Sequence, residues 1–289
     1  MAAMPIHGRA GEQSRRVRRC NLAGELVQEL IDAGAHFGHR VSRWNPKMKP
    51  YIYGKRNLIH IINIKETLKG ILVARKFLGQ VAAGGKDILV VGTKRQARKA
   101  LEESVAPLSQ HWVNDRWLGG TLTNFREIRR RVGRLDYLEQ LETDGMLDTY
   151  SKKEGASLRR EMKKIRRNLG GIRRMERMPG ALLVIDQRRE LNAIKEANKM
   201  GIPVVCILDT DCDPDTVNIP IPANDDSMRA IEIIVRELAK AIEEGIQGRT
   251  DKGADDDQGR RRGGRRESVG QPAAYGSGDV KPTDAPAAE

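Results

Sequence analysis

Short apolar runs alternate with amphipathic stretches along most of the chain. "DILVVGT" (87–93), "ALLVID" (181–186) and "IPVVCILDT" (202–210) are apolar without polar alternation, so each reads as a strand buried on both faces. "LIHIINI" (58–64) and "HWVN" (111–114) are further strand candidates. "NIPIPAN" suits a short edge segment, where its prolines are tolerated. Between the runs, Thr67, Leu68, Ile71, Leu72, Phe77 and Leu78 predict a helix ending near Gly84-Gly85. A basic helix follows over about 94–105, then helices over 190–200 and 225–246. Strands separated by helices predict a doubly wound α/β fold with a parallel sheet covered on both faces.

Residues 121–178 break this rhythm. Phe125, Ile128, Val132, Leu135, Leu138 and Leu141 step by three or four, as do Leu158, Met162, Ile165, Leu169 and Ile172. Two helices with narrow apolar seams and a short connection predict an antiparallel coiled-coil α-hairpin, inserted into an α/β domain of residues 22–120 and 179–247. Residues 1–21 form a basic arm, expected to be disordered. Residues 248–289 are nearly free of large apolar side chains and are also expected to be disordered.

Charge narrows the function. The 289 residues carry a net charge of +13, which favours a polyanionic partner, and nucleic acid is the commonest. Residues 116–180 hold 17 Lys or Arg against 9 Asp or Glu, so much of the excess falls on the hairpin. No apolar run approaches a membrane span. The Arg-rich start lacks the apolar stretch of a secretory signal and reads as an arm rather than a transit peptide. With 4% aromatic residues the core is aliphatic. Cys20, Cys206 and Cys212 form no C-x-x-C pair, which suits a reduced protein with Cys206 buried in a strand.

"VVGTKRQ" (90–96) places Gly92, Thr93 and Lys94 after a buried strand, where α/β folds bind ligands, but neither a P-loop nor G-x-G-x-x-G is present. Lys94 and Arg95 suit an RNA phosphate as well. No nucleophile elbow stands out. His39 with Asp209, Asp225 and Asp226 is the best-placed set for a divalent metal, zinc or magnesium, although such acids also serve turns and helix caps. "RWNPKMKPYIYGKRN" (43–57) interleaves Arg43, Lys47, Lys49, Lys55 and Arg56 with Trp44, Tyr51 and Tyr53. The cations suit phosphates, while the rings are expected to pack the domain edge. In "RWLGGTLTNFREIRRR" (116–131), Gly119-Gly120 permits a sharp turn and Thr121 or Thr123 can cap the following helix. Arg116, Arg126, Arg129, Arg130 and Arg131 supply charge that one acid, Glu127, does not match.

Several of these stretches together resemble one family. "AGAHFGHRVSRWNPKMKPYIYGKRNLIHIINIKETL", "ILVVGTKRQA", "VNDRWLGGTLTNFREIRRR", "NLGGIRRMERMPGALLVID" and "GIPVVCILDTDCDPDTVNIPIPANDDSMRAI" are similar to the bacterial-type S-two family of small-subunit ribosomal proteins, over about residues 22–247. The resemblance implies a flavodoxin-like α/β domain with a protruding coiled-coil hairpin. It implies a non-enzymatic role in the bacterial cytosol, with no required cofactor, no small-molecule substrate and no membrane. The implied partners are small-subunit ribosomal RNA, near the junction of head and body, and neighbouring proteins including the large RNA-binding S-one protein. "RWNPKMK", "GKRN", "GTKR" and "RWLGG" with its arginines become the RNA-facing candidates.

Overall fold

The computed structural model describes residues 24–263; the basic arm and the end of the tail lie outside them. By its contacts the chain divides into residues 1–250 and 251–289. The first unit opens with helix α1 (24–32) and a small antiparallel sheet of β1 (Phe37–Arg40), β2 (Ile52–Arg56) and β3 (Ile59–Ile62), in the order β1-β3-β2. "LIHIINI" therefore forms a strand, but not in the parallel sheet. Its partners escape the hydrophobic pattern because each is only four or five residues long and partly exposed.

Helix α2 (Ile64–Ala83) leads into the parallel sheet. Its strands are β4 (Ile88–Val91), β5 (His111–Val113), β6 (Ala181–Ile185), β7 (Val204–Leu208) and the edge strand β8 (Ile219–Pro222). They lie in the order β5-β4-β6-β7-β8, all parallel. This is the flavodoxin-like order, with the switch point between the carboxyl ends of β4 and β6. Alternate residues of the strands feed two cores, because side chains alternate across a sheet. Ile88, Val90, Leu183, Ile185, Val205 and Ile207 pack with Ile71 and Leu78 of α2, Ala97 and Leu101 of α3 (Arg95–Ser104), and Ile231, Ile234 and Leu238 of α7 (Met228–Gly263). Leu89, Val91, Leu182, Val184 and Cys206 pack with Ala193 and Ile194 of α6 (Leu191–Lys199). The backbone of α7 thus continues beyond residue 247, where the tail was expected to begin.

The crossover from β5 to β6 consists of α4 (Phe125–Thr143) and α5 (Lys152–Leu169). Ile128 and Val132 of α4 join Leu169 and Ile172 on the sheet face. Farther along α4, Leu135, Leu138 and Leu141 form their own cluster with Leu158 and Met162. The start of α4 thus meets the end of α5, so the two helices run antiparallel. Ser151 and Glu154 form a capping box at the start of α5.

The loop before α4 is organised by one side chain. Gly120 adopts φ +88°, and the chain wraps around the carboxylate of Glu196 from α6. That carboxylate accepts hydrogen bonds from Trp117 Nε1 (3.0 Å), Gly120 N (2.9 Å), Leu122 N (3.0 Å) and Thr123 N (3.2 Å). Neither threonine caps the helix: the N-cap is Asn124, without a side-chain cap bond, and Thr121 Oγ1 donates to Leu118 O. The stretch "RWLGGTLTN" does cradle an anion, but the anion is the protein's own.

Burial alone would raise the pKa of Glu196, yet these donors hold it below its ordinary 4.5. A carboxylate held low stabilises the fold fully above that value and loses the contribution as pH falls through its own lowered pKa. Glu196→Gln should therefore cost about 2 kcal/mol at neutral pH in urea denaturation, since the amide retains one acceptor and turns donors toward donors. The gap between variant and parent should close as the pH falls below 4.5.

Candidate nucleic-acid interface

The carboxyl ends of the parallel strands meet at a polar cluster. Lys94, the N-cap position of α3, is only 7% exposed. Its Nζ lies 2.8 Å from Asp225 Oδ1, 2.7 Å from Asp226 Oδ1 and 3.5 Å from Asp186 Oδ2. Burial alone would lower the ammonium pKa, but the hydrogen bonds to Asp225 and Asp226 outweigh it and raise it. His39 of β1 places Nδ1 2.7 Å from Asp209 Oδ2 at the end of β7, and Nε2 3.7 Å from Asp226 Oδ2. That hydrogen bond raises His39 to about 9. Burial, with Asp186 and Asp209 nearby, pushes Asp225 up to about 7. Beside them, Glu190 accepts from both Thr93 N (3.0 Å) and Thr93 Oγ1. Asp225 and Asp226 do not cap α7. Asn224 Oδ1 and Ser227 Oγ accept the N–H groups there.

This arrangement closes the switch point to a nucleotide. The strand-end N–H and the lysine that would meet a phosphate are already bound to internal carboxylates, and further anionic charge would be repelled. It also buries Lys94, which the sequence reading had placed on the RNA-facing surface. The same cluster docks the antiparallel sheet: His39 N donates to Thr210 Oγ1 (3.0 Å) and Asn45 N to Thr210 O (2.8 Å). A Cβ on Gly38 would come within 2.6 Å of Thr210 Cγ2, so only glycine allows this approach.

The remaining cations differ in how they are partnered. Lys47 is exposed but held by Asp213 (2.8 Å) and Asp215 (2.7 Å). Arg129 donates to Arg173 O (2.9 Å), and Arg130 and Arg131 pair with Glu127 at 2.8 and 3.9 Å. Arg134, Arg166 and Arg173 likewise pair with Glu161, Glu139 and Asp136 on the two long helices. Arg95, Arg116 and Arg126 are exposed and have no ion pair among the described residues. Arg116, Arg130, Arg131, Arg134 and Lys164 line a cleft of about 840 Å³ between the helices, with Asn168.

The antiparallel sheet stands apart. From Ala33 to Lys65 there is no acid, against seven Lys or Arg. Of these, Arg40, Arg43, Lys49, Lys55, Arg56 and Lys65 are exposed and form no ion pair among the described residues. The sequence reading missed Arg40, although the same absence of acids would have found it. It also missed Asp186, which ends "ALLVID" at a strand's carboxyl end. Glu190 and Glu196 carried no signal, because single acids on an amphipathic helix look like ordinary solvated positions. Trp44 packs on His60 with ring centroids 5.2 Å apart, and Tyr51 packs against the core, as expected of the rings; Tyr53 does not, being 81% exposed.

Comparison with known proteins agrees with this architecture. The family described as "Ribosomal protein S2" matches residues 30–245. A protein named "Small ribosomal subunit protein uS2", from Rhodopirellula baltica, is 54% identical over 221 residues, covering 76% of this chain and 85% of that protein. With the match running from α1 through the first half of α7 and taking in both sheets and the long helix pair, the chain belongs to the bacterial-type ribosomal protein S2 family.

Proposed function

We propose that this protein binds small-subunit ribosomal RNA chiefly through its acid-free antiparallel sheet. Its family makes it a structural, non-enzymatic constituent of the small ribosomal subunit. The observation that carries the RNA reading is the set of unpaired cations Arg40, Arg43, Lys49, Lys55 and Arg56 on one small sheet and its connections. A cation without an internal partner is free to displace the counterions of a phosphate backbone, whereas an internally paired one must first break its bond. The α4–α5 pair acts as a projecting coiled-coil arm, with Arg116, Arg126, Lys163 and Lys164 among its unpaired cations; Arg95, at the start of α3, is a further unpaired cation. Arg129, Arg130 and Arg131 contribute after exchanging internal partners.

The rest of the body faces neighbouring ribosomal proteins. As the resemblance implies, the large S-one protein is among those anchored. Where α1 and α2 meet strand β3 of the antiparallel sheet, an apolar groove lined by Val27, Ile31, Ile61 and Leu68 suits a protein contact. The protein works in the cytoplasm, within the ribosome; among the described residues no helix is long and apolar enough to cross a membrane.

The role requires no cofactor. One set of side chains nevertheless gathers as ligands would: single donor atoms of His39, Asp209 and Asp225 all lie within 4.8 Å of one another, with Asp226 alongside. The imidazole favours zinc over magnesium. An ion entering there displaces the Lys94 ammonium, which already neutralises Asp225 and Asp226.

Arg43→Ala/Lys55→Ala/Arg56→Ala should weaken binding of the full chain to small-subunit ribosomal RNA by at least about tenfold. It should also flatten the log–log salt dependence by roughly two to three units, about one per lost phosphate contact. Lys47→Ala, removing a cation already neutralised, should change the affinity less than about twofold. Equal losses in both variants would overturn the reading. Zinc added to chelator-treated protein should be retained at one ion per chain after dialysis and lost in His39→Ala. Parent protein that retains none would remove the metal site.

A further inference from the structure

The two most exposed large hydrophobic residues of the described chain lie on one hairpin: Tyr53 is 81% and Leu58 78% exposed. Tyr53 sits where the β2–β3 register shifts, between the Ile52 and Gly54 pairings, and its ring borders the apolar groove near α1. Leu58 lies beyond that groove, at the hairpin tip. Arg56 pairs with Ile59, so Asn57 and Leu58 form a two-residue turn, with φ +49° and +62°.

Both positive values define a type I′ turn, whose second central position strongly favours glycine. A leucine here accepts a left-handed backbone that its Cβ disfavours, and it places an isobutyl group in water. Neither feature helps the isolated fold. The tip is nevertheless held firmly, since Leu58 O accepts from Val41 N at 3.0 Å. Lys55 and Arg56 flank it, exposed and without ion pairs among the described residues, in the segment with no acidic residue between Asp32 and Glu66.

From this placement we infer that the tip is an RNA-seating wedge: Leu58 rests in the wide, shallow minor groove of helical RNA while Lys55 and Arg56 hold the adjoining phosphates. A two-residue β-turn is narrow enough to enter such a groove, and apolar side chains serve as minor-groove wedges in other nucleic-acid complexes. The charge selects RNA over a protein surface, because the tip offers a polyanion two free cations and no competing carboxylate. The inference rests on the RNA-binding role proposed above and assigns a task to one residue within it.

The test compares the full-length parent with Leu58→Gly and with Lys55→Ala/Arg56→Ala. Each is measured for thermal stability, for affinity to naked small-subunit ribosomal RNA, and for uptake by subunits depleted of this protein. Leu58→Gly should keep its Tm or gain up to roughly 4 °C, since glycine suits the turn. It should nevertheless lose about three- to tenfold in affinity for naked RNA. The cation pair should lose tenfold or more.

Loss in the cation variant with parent-like RNA affinity in Leu58→Gly overturns the wedge and leaves the RNA-binding sheet standing. Parent-like RNA affinity in both variants removes the hairpin from the RNA interface and the wedge with it; the Arg43→Ala/Lys55→Ala/Arg56→Ala measurement then decides separately on the sheet. Normal affinity of Leu58→Gly for naked RNA with reduced uptake into depleted subunits assigns the tip to a protein neighbour and overturns the wedge. A fall in Tm for Leu58→Gly shows that the leucine serves the fold instead.

Discussion

A single buried ammonium ties together the carboxyl end of the parallel sheet. Lys94 leaves the end of β4 and meets Asp186 after β6 together with Asp225 and Asp226 before α7. Asp209, after β7, joins through His39. Four carboxylates brought this close would repel one another and raise their own pKa values, as Asp225 shows. The lysine and the protonated histidine make the grouping possible. Removing one partner of such a buried pair leaves an uncompensated charge, so the cluster is held as a unit. Because His39 belongs to β1, the same electrostatics fix the small antiparallel sheet onto the large parallel one.

That constraint also explains why a flavodoxin-like sheet carries no nucleotide chemistry here. The switch point is normally where strand-end N–H groups and a helix start receive a phosphate. Here Glu190 takes the Thr93 N–H, and the aspartates take Lys94. The loop before α4 repeats the theme with Glu196, whose carboxylate accepts four N–H donors from that loop. In both places an anion site is filled from within, turning a ligand pocket into a structural joint.

Positive charge is divided in a corresponding way. The long helices hold many arginines, but Asp136, Glu139 and Glu161 engage several of them across the pair, which braces the two helices against each other, while Glu127 holds Arg130 within α4. On the small antiparallel sheet no acid is present to do this, and the cations face solvent unpaired. A count of basic residues points to the helices, where Lys152, Lys153, Lys163 and Lys164 also face solvent without an ion pair among the described residues; the absence of any acid points to the sheet.

The sequence by itself determined the parallel sheet, because strands buried on both faces must be apolar throughout, and "ILVV", "ALLVI" and "VVCIL" could be little else. It also determined the helix seams in 125–172, since a spacing of three and four survives whatever the helices pack against. The stretches "WNPKMKPYI" and "RWLGGTLTN" carried the family. The antiparallel sheet was hidden, because its short, half-polar strands gain their pairing from one another rather than from a local pattern. The fate of each charge was hidden for a related reason. Lys94 and Lys55 look alike in sequence, and only the distance to carboxylates more than 90 residues away makes one a buried strut and leaves the other exposed and unpaired.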